Sequence, residues 1–305
     1  MLKTAIIIVT YNGLKWIDNC LRNLDFDKFN VIVVDNASKD DTVSFIVAHY
    51  PDVTVLKQTD NLGFGQANNK GIRYALDLGA EHVLLLNQDA YLMDNVLVKL
   101  CVFQKQNPQY GILSPIHITA DRNKLDSNFL HYMLREETGM FYSDFVLGNP
   151  LALVYDVPFV NAAAWLVSKA CLETVGGFDP LFFHYGEDDN YCQRISYHGF
   201  KIGVLPDTYV VHDREDRKQN KAPMFSPDYF KHARRKYQVV FGNINIDNPI
   251  DLKIKKLKKS IVKLKLQLKF DRAASVKKEL TLLSDLKPEI EKSRILNIKP
   301  GLHYL

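Results

Sequence analysis

The sequence predicts an α/β sandwich, a largely parallel sheet with helices on both faces. Three observations predict it. Residues 5–9 (AIIIV), 31–34 (VIVV), 53–56 (VTVL) and 83–86 (VLLL) are short, almost wholly apolar runs, as expected of strands buried on both sides. Between them, residues 16–24, 41–49 and 65–78 have helical length and mixed patterning. Strand and helix alternate in an order that gives right-handed crossovers.

Taken in order, the four strand ends are alike. The first runs into Thr10-Tyr11-Asn12 and the second into Asp35-Asn36-Ala37-Ser38. The third leads to Asn61-Leu62-Gly63-Phe64-Gly65 and the fourth to Asn87-Gln88-Asp89. Open α/β sheets bind ligands at the C-terminal ends of their strands. Small polar and acidic groups at four successive ends therefore predict one shared site. The second half is less regular. Residues 110–118 and 202–205 read as strands, and 210–211 as a further short one. Residues 170–175 read as a short helix closed by Gly176-Gly177. A turn at 177–180 introduces FFHYGEDDNYCQR at 182–194. Three regions result: a body at 1–213, an extension at 214–250 and a basic tail at 251–305. The polar stretch 214–223 is expected to act as a lid over bound ligand.

The chain has 305 residues, 47% hydrophobic and 24% charged, a globular composition that excludes disorder and fibrous classes. No apolar run approaches the roughly 18 residues that span a bilayer, and the N-terminus lacks the apolar stretch of a secretory signal. Cys20, Cys101, Cys171 and Cys192 lie far apart and are expected to be buried, reduced thiols in a cytoplasmic protein. Net charge is +4, but residues 251–305 hold 13 Lys and 2 Arg against 3 Asp and 3 Glu, or +9, leaving −5 for the rest. An acidic body excludes a nucleic-acid-binding core and confines anionic partners to the tail. There, Ile254, Leu257, Ile261, Leu264 and Leu268 are spaced 3, 4, 3, 4, the stripe of an amphipathic helix. A second helix is expected at 273–286, ended by Lys287-Pro288. The stripe fits the inner face of an anionic cell membrane, with peripheral attachment there, and equally a hairpin seam or a partner helix.

The strand ends carry recognisable chemistry. Asp89 closes an apolar strand, where a carboxylate needs a partner; a divalent cation bridging it to a diphosphate would supply one. Asp35 could accept from a ribose hydroxyl or a base N–H. Residues 61–71 match neither a Walker loop nor a GxGxxG loop. Glu187-Asp188-Asp189 crowds three carboxylates among aromatics, which raises at least one pKa and suits a general base. His212 follows a strand as a candidate metal ligand. Asp, His and phosphate oxygens suit Mg2+ or Mn2+ better than Zn2+.

The sequence resembles a family 2 glycosyltransferase of the GT-A fold, in its rhamnosyltransferase-like branch. The likeness is carried by IVTYNG (8–13), VVDNASKDDT (33–42), NLGFGQANNKG (61–71), LLLNQDA (84–90), GGFDPLFFHYGEDDNYCQR (176–194) and the shorter VVHD (210–213). It implies a Rossmann-like mixed sheet and an inverting transfer from a nucleotide-diphosphate sugar, dTDP-rhamnose or a UDP-sugar, to a hydroxyl acceptor. That acceptor is a glycan or lipid-linked glycan in cell-surface polysaccharide synthesis. By position, Thr10, Tyr11, Asn12, Asp35 and Asn36 look like base and ribose contacts, and Asn61, Gly63 and Asn68 like further donor contacts. Asn87-Gln88-Asp89 occupies the place of the family's DxD signature, with Asp89 the metal-binding acid and an amide in place of the first acid. Glu187-Asp188 matches the family's ED pair, whose aspartate is the base, and His212 its late metal-binding histidine. Trp165, Phe182, Phe183 and Tyr185 are placed to stack on sugar rings, and Arg194 to orient the acidic loop. Two other functions stay open at this point, a nucleotidyltransferase and a non-catalytic sugar-nucleotide-binding or scaffolding protein.

Overall fold

The computed structural model describes residues 3–214, 222–247 and 250–305. Its first half is the expected alternation: β1 (Thr4–Thr10), α1 (Ile17–Leu21), β2 (Asn30–Asp35), α2 (Thr42–His49), β3 (Thr54–Lys57), α3 (Gly63–Asp77) and β4 (His82–Asn87). The four strands lie parallel in the order β3-β2-β1-β4. Period-two side chains divide between two faces. Ala5 and Ile7 pack with Ile32, Val34 and Ile72 on one side. Ile6 and Ile8 pack with Val31, Val33, Cys20 and Leu21 on the other.

The second half makes the sheet mixed. It contains β5 (Ala90–Leu92), α4 (Val96–Gln106), β6 (Tyr110–Ile118), α5 (Ser127–Met133), α6 (Gly139–Leu147), β7 (Tyr155–Asp156), β8 (Ala164–Ser168), α7 (Lys169–Val175), α8 (Glu187–Tyr197) and β9 (Lys201–His212). The order continues β4-β8-β6-β9-β5, with β7 also on β9. β8 runs antiparallel to β4 and β6, whereas β6 and β9 are parallel. The two short strands expected at 202–205 and 210–211 are one strand, β9. Its pairing skips from Leu205 to Tyr209, so Pro206, which has no N–H to give, sits in a bulge rather than ending the strand. All four cysteines are free and buried, as expected.

The tail forms three helices, α9 (Pro227–Gly242), α10 (Ile250–Leu266) and α11 (Phe270–Asn297). α10 and α11 pack as a hairpin against α9 around Tyr237, Phe241, Leu257, Leu283, Leu286 and Ile290. The expected stop at Lys287-Pro288 is overridden, because α11 continues through Pro288. A proline inside a helix costs about 3 kcal/mol. Here it is outweighed by the residues beyond it. Ile290 is buried in the hairpin core, and Ser293 and Asn297 are bound to Asp179 in the body.

Candidate active site

Strand register assembles the first part of the site. Thr10 lies opposite Asp35, and Val9 lies opposite Asn87, so three of the polar strand ends meet at one edge. Several expected donor contacts turn out to tie the loops together. Gln88 Oε1 accepts from Thr10 Oγ1 at 2.7 Å and from the Tyr11 N–H at 3.0 Å. Asn12, at a left-handed φ of 49°, accepts from the Lys39 N–H at 2.8 Å while its own N–H donates to Ser38 Oγ at 2.9 Å. Asn36 Nδ2 donates to Asn61 Oδ1 at 2.9 Å, and Asn36 Oδ1 accepts from the Leu62 N–H at 2.7 Å. Asn68 is buried within α3 and donates to the Phe64 carbonyl. The atoms left for a ligand are others. Asp35 Oδ1 and Asn87 Oδ1 are buried with no hydrogen-bond partner, a state that costs about 1–3 kcal/mol unless a ligand donor meets it. Tyr11, which follows Thr10 at the same strand end, is 41% exposed.

Gly63 has a clearance role. Its φ is +77°, and a Cβ there would stand 2.0 Å from the Phe183 carbonyl oxygen. Any side chain would push the acidic loop off the N-terminus of α3. Gly65 does the same beside Phe178, with Glu187 Cβ at 3.7 Å from the position a Cβ would take. The donor edge and the acidic cluster are therefore in contact.

The second part forms where β5 pairs with β9. Ala90 lies opposite His212, and the Asp213 N–H donates to the Asp89 carbonyl at 2.8 Å. This register sets His212 Nε2 3.6 Å from Asp89 Oδ1. On its other side, His212 Nδ1 faces Asp126 Oδ2 at 3.7 Å and has no hydrogen-bond partner. Asp126 is buried and caps α5, its Oδ1 accepting from the Asn128 and Phe129 N–H groups. A carboxylate oxygen and an imidazole nitrogen side by side, with a second carboxylate behind the ring, have the donor chemistry of a Mg2+ or Mn2+ site. Among the described residues no third His, Cys, Asp or Glu joins them, so further ligands would come from substrate oxygens or water.

The third part is the start of α8. Gly186, at φ +94°, turns the chain so that Glu187, Asp188 and Asp189 fill the first helical turn, where the helix dipole favours negative charge. Burial, then the neighbouring carboxylates, pushes the Glu187 and Asp188 pKa values well above the ordinary range. Burial also raises Asp189, against the pull of Arg135 and Arg235. Tyr132 on α5 connects the parts. Its hydroxyl is pushed up to about 12, by burial first and by Asp188 and Asp189 next, with Arg214 and Arg135 opposing. Arg214 in turn lies 3.9 Å from Asp126. Tyr132, Arg214 and Asp126 thus link the acidic cluster to the Asp89–His212 pair across α5.

Other expectations are corrected. Trp165 is fully buried on β8, its ring stacked 6.2 Å from Phe178, so it offers no face to an acceptor. Phe182 is buried as well. Phe183 and Tyr185 remain exposed at the cluster, with the Arg235 guanidinium 4.5 Å over the Tyr185 ring. Arg194 binds the Val175 and Gly177 carbonyls rather than the carboxylates. It therefore holds the Gly176-Gly177 turn that precedes the acidic loop. The expected lid at 214–223 lies mostly outside the described residues, which omit 215–221. Sequence reading missed Asp126, Tyr132, Arg135 and Arg235. Asp126-Ser127-Asn128 carried a helix-cap signal, but no signal of its approach to His212.

The chain matches the family model for glycosyl transferase family 2 over residues 5–170. It is 28% identical over 239 residues to the dTDP-rhamnosyl transferase RfbF of Shigella flexneri, covering 76% of each chain. It is 25% identical over 231 residues to an N-acetylglucosaminyl-diphospho-decaprenol L-rhamnosyltransferase of Mycobacterium tuberculosis, covering 68% of this chain and 75% of that one. Among solved structures it resembles the Pyrobaculum calidifontis mannosyltransferase PcManGT in complex with GDP-Man and Mn2+. The TM-score is 0.54 at 19% identity, covering 97% of this chain and 84% of that one. This likeness bears out the GT-A fold.

Proposed function

The chain belongs to glycosyl transferase family 2, and from that premise we propose that it transfers a sugar with inversion from a nucleoside diphosphate donor to a hydroxyl of a growing glycan. The donor is dTDP-rhamnose or a UDP-sugar, in keeping with the rhamnosyltransferases it is similar to. Family membership sets aside nucleotidyl transfer. One observation supports catalysis over mere binding: carboxylates with raised affinity for protons neighbour Tyr132, which Arg214 and Asp126 link to the Asp89–His212 pair.

Asp35 and Asn87 present their unpartnered oxygens to donor hydroxyl or N–H groups. The Asn12, Asn36, Asn61 and Gln88 network fixes the loops that hold them. Asp89 and His212 would hold Mg2+ or Mn2+, which would supply positive charge to stabilise a departing diphosphate. Asp126, facing His212 Nδ1, orients the imidazole. Asp188 takes the proton of the acceptor hydroxyl as that oxygen attacks the anomeric carbon from the face opposite the diphosphate. Burial and the negative charge of Asp189 keep Asp188 basic, while the raised Glu187 carboxyl lies beside it. Tyr185 and Phe183 flank the acceptor. On α6, Phe141 packs inward while Met140, Val146 and Leu147 stand 66%, 77% and 72% exposed, an apolar face suited to a lipid-linked acceptor.

Proton NMR of the product tests the reading. The expected result is a new glycoside of opposite anomeric configuration to the donor, with release of nucleoside diphosphate. Retained configuration would contradict it.

A further inference from the structure

The stripe read from the tail sequence is largely used by the hairpin itself. Ile254, Leu257, Ile261 and Leu264 face the seam with α11 and α9. The hairpin tip, between α10 and α11, has no such cover. Leu266, Leu268 and Phe270 stand 81%, 76% and 60% exposed. Leu268 adopts φ +57°, a left-handed conformation usual for Gly or Asn; here the turn carries a leucine and directs it into solvent. Residues 258–272 hold six cations against the single Asp271. Among the described residues no carboxylate pairs with Lys263, Lys265, Lys269 or Arg272. Beside the apolar tip opens a cavity of about 360 Å3, lined by Lys263, Lys269, Arg272, Ser260 and Gln267 over Leu264.

We propose that this tip docks the enzyme on an anionic phospholipid bilayer. The cavity receives a headgroup phosphate, and Leu266, Leu268 and Phe270 enter the interface beside it. Each feature alone is ordinary. Together they pair an unneutralised basic cavity, complementary to phosphate, with apolar side chains that project past it, as interfacial anchors require. A partner helix would need a continuous apolar seam, and the hairpin has already closed its own. The docking is independent of which sugar is transferred. Among the described residues no helix is long and apolar enough to cross a membrane, so attachment at the tip would be peripheral.

The test is co-sedimentation of the full chain with vesicles of phosphatidylcholine alone, or of phosphatidylcholine and phosphatidylglycerol in equal parts. Preference for the anionic vesicles by about tenfold or more is expected. Replacing Lys263, Lys269 and Arg272 together by Ala should remove most of it. Leu268→Gly, which suits the left-handed turn, should keep or raise the melting temperature yet weaken vesicle binding several-fold. Three results would overturn the proposal: no preference for anionic vesicles, variants that bind like the parent, or self-association that disappears with Leu268→Gly while vesicles are ignored. A fourth would be competition by inorganic phosphate with Leu268→Gly unimpaired, which would make the cavity a soluble-anion site.

Discussion

Replacing Asp188 by Asn is expected to lower kcat by about 10²- to 10⁴-fold, the range of a lost general base, with donor affinity nearly unchanged. The amide keeps the shape and the hydrogen bond its oxygen accepts from the Asp189 N–H at 2.9 Å, but it cannot accept the acceptor's proton. Burial and neighbouring charge raise the Asp188 pKa, so the acid limb of kcat/KM should lie above the usual carboxylate range. Activity should fall as pH drops through that raised value. The stability effect has the opposite sense. A carboxyl whose folded pKa is raised stabilises the fold below its unfolded pKa, and that contribution is lost as pH rises through the folded one. Asp188→Asn should therefore melt higher than the parent, with a margin that grows from acidic to alkaline pH, a trade of stability for activity. Calorimetric melts at several pH values, beside steady-state kinetics, check both. A variant that is both less stable and fully active would remove Asp188 from the mechanism.

Deleting residues 293–305 is expected to cost about 3–5 kcal/mol and most of the turnover. Those residues lie far in sequence from the site but brace its entrance. Asp179 is buried, and its Oδ2 accepts from Ser293 Oγ at 2.6 Å, Asn297 Nδ2 at 2.8 Å and the Tyr304 hydroxyl at 3.2 Å. The His303 carbonyl accepts from the Gly177 N–H at 2.8 Å, and the Tyr304 ring lies 5.3 Å from the Arg194 guanidinium. Removing them leaves a buried carboxylate whose one remaining hydrogen bond among the described residues comes from the Leu181 N–H. It also frees the turn that leads to Glu187 and Asp188. A melting temperature lower by roughly 10 °C is expected. Ser293→Ala with Asn297→Ala should shift it in the same direction by less. A truncated chain as stable and active as the whole would contradict this bracing.

Much of the fold could be read from the sequence because β1, β2 and β4 are buried on both faces and so appear as unbroken apolar runs. β9 could not be read as one strand, because Pro206-Asp207-Thr208 interrupts the pattern without breaking the ladder. α11 could not be followed past Pro288, because what carries it onward is tertiary contact with Asp179. In the site, Asp35, Asp89, Asp188 and His212 were visible as chemistry at strand and helix ends. Which amides face a ligand was not visible, since Asn12, Asn36, Asn61 and Gln88 look the same in sequence whether they bind loops or substrate. Trp165 was misread for a related reason, as its stacking partner Phe178 lies in another segment. Asp126, Tyr132, Arg135 and Arg235 enter from α5, its following turn and α9, and only packing brings them to the site.

The central claim is that Asp89 and His212 hold a cation against the donor diphosphate. Calorimetric titration of dTDP and UDP into the full chain, with and without Mn2+, tests it most directly. The account predicts that Mn2+ tightens binding of one of them about tenfold or more, and that Asp89→Asn and His212→Ala each abolish that gain. Binding that ignores Mn2+, or a gain that survives both substitutions, would contradict it.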